Sequence, residues 1–227
     1  MDHSGGFSSP SGLQANGSTR FVETVGRLTD GDAGQAGTFF STAKVGVRKF
    51  TTTFTVRVHE GTSPRADGLT FIIQGNSPTA LGPGGGGLGY GPDGPRPERG
   101  IRNSIAVKFD FFDNAGEGNN STGLFTDGRS PTVPEAGSGD VLVRLDGTDI
   151  DLKSTRLFRV EMAYDGTQLR VTITDTVTMA SATQTYAVNI ASKVGSNVAY
   201  VGFTGGTGGT GGLSAVQEIM TWTFLPE

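Results

Sequence analysis

Apolar and polar residues alternate along several short segments of the chain, most regularly in its second half. In two successive segments every second residue is apolar: Phe158, Val160, Met162 and Tyr164 in the first, and Leu169, Val171 and Ile173 in the second. A period of two predicts strands with one buried and one exposed face. Asp165 and Gly166 supply a tight turn between the two segments, so the sequence predicts a β-hairpin.

Three other segments, at 69–73, 105–112 and 198–203, are almost continuously apolar. Such runs are typical of central strands that are covered on both faces. Each run is followed by a stretch rich in glycine or asparagine, which predicts a loop at the end of the strand. The remaining predicted elements are alternating strands at 54–58 and 186–190 and one helical turn at 191–195.

The composition fits many short strands joined by tight turns. Of the 227 residues, 37 are glycine and only 34% are hydrophobic. We find no linker and therefore predict a single all-β domain over residues 1–227, built as a sandwich of antiparallel sheets. A net charge of −4 without a stripe of lysine or arginine argues against nucleic acid binding. No segment has the roughly 20 apolar residues of a membrane span, so no membrane insertion is expected.

One candidate site begins where the apolar run 105–112 ends. In an extended segment Asp110, Phe112 and Asn114 point the same way, which brings together a carboxylate, a backbone carbonyl and a carboxamide. These are hard oxygen ligands and suit Ca²⁺. Glu117 or Asn119 would complete the shell. The alternative is that Asp110 and Asn114 only cap a strand end and organise a turn.

Two further fragments offer hydrogen-bonding groups. Asp67, before Gly68, can accept two charge-assisted hydrogen bonds from neighbouring sugar hydroxyls. The glycine run at 84–89 offers backbone N–H groups that a hydroxyl can approach without meeting a Cβ atom. Taken alone, each fragment is typical of a turn or a surface loop. Together with Asp110 and Asn114, they predict a carbohydrate-binding site.

Five ordered motifs resemble those of the legume (L-type) lectin domain, of bacterial type, in the concanavalin A-like lectin and glucanase superfamily. They are Ala66-Asp67-Gly68-x-x-Phe71, Gly85-Gly86-x-Leu88-Gly89, the run from Ile105 to Asn114, Tyr200-Val201-Gly202-Phe203-Thr204 and Met220-Thr221-Trp222-Thr223-Phe224. The resemblance implies a concanavalin-like jelly-roll β-sandwich and a shallow sugar site made by four loops. The residues it implies for sugar binding are Asp67, Gly86, Phe112 and Asn114, with Gly208 and Gly209 in a fourth loop at 205–212.

The implied partner is a glycan or polysaccharide. A homo-oligomer is compatible with the resemblance, which also leads us to expect a secreted parent protein.

The departures from the plant pattern concern the metals. Plant members carry a Glu two residues before the metal-site Asp and a His after the loop, where this chain has Lys108 and Ser121. An ammonium at Lys108 would repel a second cation. We therefore expect one Ca²⁺, held by Asp110, the Phe112 carbonyl, Asn114 and Glu117, and no transition-metal site.

Two alternatives to a lectin remain at this stage. A laminarinase-type glycosidase places its carboxylates as E-x-D-x-x-E, but this chain has Lys108 at the nucleophile position, and Asp113 faces away from Asp110. We therefore predict that the chain is not an enzyme. The second alternative is a structural or adhesion module that has lost its sugar site.

Overall fold

The structure, a computed structural model, describes residues 1–209 and 212–227. Within these residues it has sixteen strands and one α-helix. The strands are β1 (Asp2–His3), β2 (Leu13–Gly17), β3 (Arg20–Val22), β4 (Val25–Asp30), β5 (Ala36–Ser41), β6 (Val45–Gly46), β7 (Phe50–His59), β8 (Gly68–Gln74), β9 (Ser104–Asp110), β10 (Ser121–Thr126), β11 (Val141–Arg144), β12 (Leu157–Tyr164), β13 (Gln168–Asp175), β14 (Ser181–Ala187), β15 (Val198–Gly206) and β16 (Val216–Pro226). Helix α1 spans Ile190–Val194, and a 3-10 turn spans Gly85–Gly87. No helix among the described residues is both long enough and apolar enough to cross a bilayer.

The strands form two eight-stranded antiparallel sheets. Sheet I has the order β14-β13-β12-β7-β16-β4-β3, with β1 beside β16; sheet II has the order β11-β10-β9-β8-β15-β5-β2, with β6 beside β15. This architecture confirms the predicted all-β jelly-roll sandwich. The predicted hairpin is also confirmed, since β12 and β13 pair from Phe158 opposite Asp175 to Tyr164 opposite Leu169.

An aromatic core joins the two sheets. The ring of Phe54, from sheet I, lies 5.8 Å from that of Phe71 and 4.9 Å from that of Phe203, both in sheet II. Trp222 of sheet I contacts Phe203 edge-on at 5.1 Å. Aromatic rings bury much apolar surface and prefer such offset and edge-on contacts. The core therefore fixes sheet II, and the strands that lead to the candidate site, against sheet I.

Strands β8, β9 and β15 lie in the interior of sheet II, as their continuous apolar runs predicted, and they are neighbours there. The outer face of β8 and β9 is covered because the segment between these two strands folds back over it. Tyr90 and Ile101 of that segment pack in a buried cluster with Ile72 and Ala106. The same segment carries the glycine run to the candidate site.

The structure corrects three predicted boundaries. The strand predicted at 105–112 ends at Asp110, because the Phe112 N–H donates to the Asp110 carboxylate instead of to a neighbouring strand. The strand predicted at 186–190 ends at Ala187, since Asn189 caps helix α1 by accepting the Ser192 N–H. The first two residues of the loop predicted at 205–212 belong to β15, and residues 210–211 lie outside the described part of the chain.

Candidate functional site

The three sequence fragments meet at one edge of sheet II. Gly68, at the start of β8, pairs with Asp110 at the end of β9 and with Gly206 at the end of β15. Asp67 extends this register by one residue: its N–H donates to the Gly206 carbonyl at 3.1 Å, and its carbonyl accepts from the Phe111 N–H at 3.1 Å. Antiparallel pairing therefore places Asp67, the loop after Asp110 and the loop after Gly206 side by side.

Asp67 and Asn114 form the centre of the site. The Asn114 Nδ2 amide donates to Asp67 Oδ1 at 2.9 Å, and the peptide bond between Ala66 and Asp67 is cis. Asp67 is only 1% exposed. Its second oxygen, Oδ2, and Asn114 Oδ1 are both buried without a hydrogen-bond partner among the described residues. Buried polar atoms are normally paired, so two unpaired acceptors side by side are typical of a ligand site.

A side chain on Gly86 would displace two of its neighbours in the site. A Cβ atom on Gly86 would lie 2.6 Å from Asn114 Cγ and 2.6 Å from Asp93 Oδ1. The preceding glycine is fixed by a hydrogen bond from its N–H to the Thr207 carbonyl at 2.9 Å. The bare backbone therefore lies directly against Asn114, as the glycine run predicted.

These residues line a shallow pocket with a volume of about 250 Å³. All six residues predicted to bind carbohydrate are in its wall: Asp67, Gly86, Phe112, Asn114, Gly208 and Gly209. Gly85, Asp93 and Leu213 complete it. Larger hollows occur on the surface of sheet I, such as one of about 380 Å³ beside Arg170, but no unpaired buried side-chain atom lines it in the described chain.

Sequence reasoning missed Asp93 and Leu213. Asp93 lies in the Gly/Pro-rich segment between β8 and β9, where an Asp-Gly pair is a common turn signal. Leu213 follows the low-complexity loop after β15 and forms no apolar pattern with its neighbours. Both residues reach the pocket only through the fold of long loops. No short-range signal in the sequence would have identified them.

Of the four predicted metal residues, Phe112 and Asn114 line the pocket, whereas Asp110 and Glu117 are buried next to it in the chain. Asp110 and Lys108 are fully buried, with Lys108 Nζ 2.9 Å from Asp110 Oδ2. The Glu117 carboxylate accepts the Asn114 N–H at 3.1 Å and the Ala115 N–H at 2.6 Å. Asn119, the alternative ligand, is exposed. Glu117 is therefore the acidic side chain that is directed inward from this loop.

The site carries more negative than positive charge. Burial raises the pKa of Asp67 to about 6; the hydrogen bond from Asn114 opposes this shift, and the charges of Asp93 and Glu117 add to it. Burial also raises the pKa of Asp110 to about 7, against the attraction of the Lys108 ammonium. Within the described residues no group of three or more His, Cys, Asp or Glu side chains has metal-binding geometry. A cation at this site would therefore also need oxygen ligands from Asn114 and from the backbone.

A family model, the legume lectin domain, matches residues 19–226. The chain belongs to the legume lectin domain family. This family comprises non-catalytic carbohydrate-binding proteins, in agreement with the prediction that the chain is not an enzyme, and its members generally bind metal ions.

Solved structures of plant lectins share the fold. The lectin from Bauhinia forficata in complex with GalNAc has a TM-score of 0.79 at 20% identity, over 99% of this chain and 96% of that one. Lectin I-B4 from Griffonia simplicifolia, in a metal-free form, has a TM-score of 0.79 at 18% identity, over 99% and 97%. Winged bean acidic lectin complexed with methyl-α-D-galactose has a TM-score of 0.77 at 20% identity, over 99% and 96%. Among curated protein sequences, none matches the chain.

Proposed function

We propose that the chain is a lectin domain that binds one sugar residue in the pocket around Asp67. The observation that carries this proposal is Asp67 Oδ2, a buried carboxylate oxygen that lines the pocket and is unpartnered in the described structure. Leaving such an acceptor unpaired is costly unless a ligand satisfies it. The hydroxyl groups of a sugar are suitable donors. The sugars bound to the lectins of Bauhinia forficata and winged bean also support this assignment.

Each residue of the pocket has a role in this proposal. Asp67 accepts hydrogen bonds from adjacent hydroxyls, while Asn114, oriented by its 2.9 Å bond to Asp67, donates its second amide hydrogen. Gly86 donates from its backbone, and the half-buried Phe112 ring packs against the C–H face of the sugar. Leu213 adds apolar surface to the wall. The pocket is shallow, so we expect weak affinity for a single sugar.

The proposal includes one calcium ion, held by Asp110, the Phe112 carbonyl, Asn114 Oδ1 and Glu117. The residues fit the ion because Asn114 Oδ1 is a buried hard acceptor, unpartnered in the described chain, next to two buried carboxylates. When bound, the ion supplies fixed positive charge that holds Asn114 and its loop in the sugar-binding arrangement. Lys108 already contacts Asp110, which supports one such ion rather than two.

A glycan array, followed by titration with the glycan that binds best, tests the proposal. We expect the wild-type protein to bind a subset of glycans and Asp67→Asn to lose that binding. Asp149→Asn is the matched control, because it makes the same chemical change at an exposed aspartate far from the pocket in sequence. Absence of any bound glycan would support the structural or adhesion module instead.

The calcium requirement is tested separately on the same array. Excess chelator should remove glycan binding and lower the melting temperature, because an ion bound only by the folded state adds stability. Added calcium should restore both. If binding is the same in chelator, the ion is not needed, although the sugar site stands.

A further inference from the structure

Asp93 lines the same pocket as Asp67 and belongs to none of the motifs of the sequence. It is exposed and lies in the covering segment between β8 and β9. Distances to two glycines locate its carboxylate. A Cβ atom on Gly86 would lie 2.6 Å from Asp93 Oδ1, and one on Gly85 would lie 3.8 Å from Asp93 Oδ2. The Asp93 carboxylate therefore lies against the backbone that would donate to a sugar.

The wall of the pocket has two carboxylates and no cationic side chain within the described residues. Lys108, the cation of this site, is fully buried beneath the pocket and is paired with Asp110. Asp67 is also buried, and its free oxygen Oδ2 is directed into the pocket beside Gly208. The two carboxylates thus leave a negative potential in the place where a ligand would lie.

We infer that this pocket selects amino sugars with a free, protonated amine, and that Asp93 is the residue that determines this preference. The inference rests on the proposed lectin function. A hydroxyl can satisfy Asp67, but only an ammonium group also neutralises Asp93. A uronic acid would bring a third carboxylate into a pocket that has no cation of its own to pair with it.

The exposure of Asp93 sets the size of the effect. Ion pairs at exposed positions are worth up to about 1 kcal/mol, which corresponds to about a five-fold change in affinity. Salt screens such pairs, so the preference should shrink as ionic strength rises. A bound calcium ion would not cancel the preference, because the ion and Lys108 together carry three positive charges, whereas Asp67, Asp93, Asp110 and Glu117 together carry four negative charges.

The experiment compares matched sugars by NMR titration at neutral pH and low salt, with calcium present. Glucosamine, galactosamine and mannosamine are each measured against the parent hexose, its N-acetyl form and its uronic acid. We expect one of the three amino sugars to bind about five-fold tighter than its parent hexose. The matching uronic acid should bind weakest. Asp93→Asn should remove most of the preference for the amine over the hexose, and Asp149→Asn should leave the preference intact.

Thermal melting tests whether the variant is folded. Asp93→Asn should have the same melting temperature as the wild type, because Asp93 is exposed. Equal binding of amine and hexose by the wild-type protein would overturn the inference but leave the lectin function in place. A preference as large in Asp93→Asn as in the wild type would overturn the role of Asp93. Binding of no sugar at all would overturn the proposed function, and the inference with it.

Discussion

Two buried carboxylates, one in each sheet, have opposite surroundings. Glu218 of β16 lies in sheet I and contacts Arg27 at 2.8 Å, Arg57 at 2.9 Å and His59 at 3.0 Å. Asp110, at the end of β9 in sheet II, has the single cationic partner Lys108 at 2.9 Å. Both carboxylates are almost inaccessible to solvent. They therefore differ in the number of their cationic partners, and Asp110 also lies deeper in the protein.

The pKa values reflect this difference. Burial tends to raise the pKa of Glu218, but the hydrogen bonds from Arg57, Arg27 and His59 outweigh burial and hold the pKa below its usual value. Burial raises the pKa of Asp110 to about 7, and that of Asp67 to about 6, because the partners of each are too few. A fully compensated buried carboxylate stabilises the fold, whereas an under-compensated one indicates a ligand site.

The largest effect on stability is expected for Lys108→Met, which keeps the shape of the side chain but leaves Asp110 buried without its cation. Breaking a buried ion pair by removing one partner costs about 3–5 kcal/mol. Urea unfolding should show a loss of this size in the free energy of unfolding. The control is Lys153→Met, at a lysine whose side chain is 40% exposed and pairs with the exposed Asp151. A loss for Lys108→Met as small as that of the control would show that the pair does not stabilise the site.

Glu218→Gln should have the next largest effect, a loss of about 1–3 kcal/mol at neutral pH with unchanged sugar binding. The pKa of Glu218 is lower in the folded protein, so its charge contributes stability above the unfolded pKa, near 4.5. This contribution disappears as the pH falls through the lowered folded pKa. The difference between wild type and variant should therefore shrink in acid.

The matched control for Glu218→Gln is Glu161→Gln, since the Glu161 side chain is 46% exposed and pairs only with Arg159 on the surface. Its free energy of unfolding should match that of the wild type at every pH. A change in glycan binding by Glu218→Gln would contradict the division of roles between the two sheets.

Gly86→Ala should weaken sugar binding at least ten-fold and change stability by only about 1 kcal/mol. The added Cβ atom would lie 2.6 Å from both Asn114 Cγ and Asp93 Oδ1, so these side chains must move. Titration with the glycan that binds best, together with thermal melting, would separate the two effects. Gly5→Ala is the control, because a Cβ atom there meets nothing within 4 Å. Wild-type affinity in Gly86→Ala would exclude a close approach of sugar to this backbone.

The sequence was sufficient for much of the fold because the periodicity of β7, β12 and β13 and the apolar runs of β8, β9 and β15 are local signals. It also indicated Asp67 and Asn114, which lie at or near the ends of these strands, and the glycine run at 84–89, from which the resemblance to legume lectins selected Gly86. It did not indicate Asp93, which reaches the pocket through a covering segment whose path depends on distant contacts such as Tyr90 with Ile72.

Lys108 shows a second limit of sequence reasoning. From the sequence it was expected to repel a second cation, and that expectation stays a prediction, but the partner of its side chain was not foreseen. The structure shows it as the partner of Asp110, with its ammonium also 5.5 Å from the centre of the Phe125 ring. The sequence tells which residue is charged but not which group its side chain will contact. That contact depends on the neighbouring strands of the sheet.

The smallest change in stability is expected for Asp67→Asn, although its effect on sugar binding should be complete. The wild-type carboxylate is 1% exposed, and its one side-chain hydrogen bond is from Asn114, so ionised Asp67 adds little to folding. A neutral amide of the same shape removes the cost of burying that charge. We expect the free energy of unfolding to stay within about 1 kcal/mol of wild type, with or without calcium. A loss as large as that of Glu218→Gln would mean that Asp67 stabilises the fold as Glu218 does, and the contrast between the two sheets would be wrong.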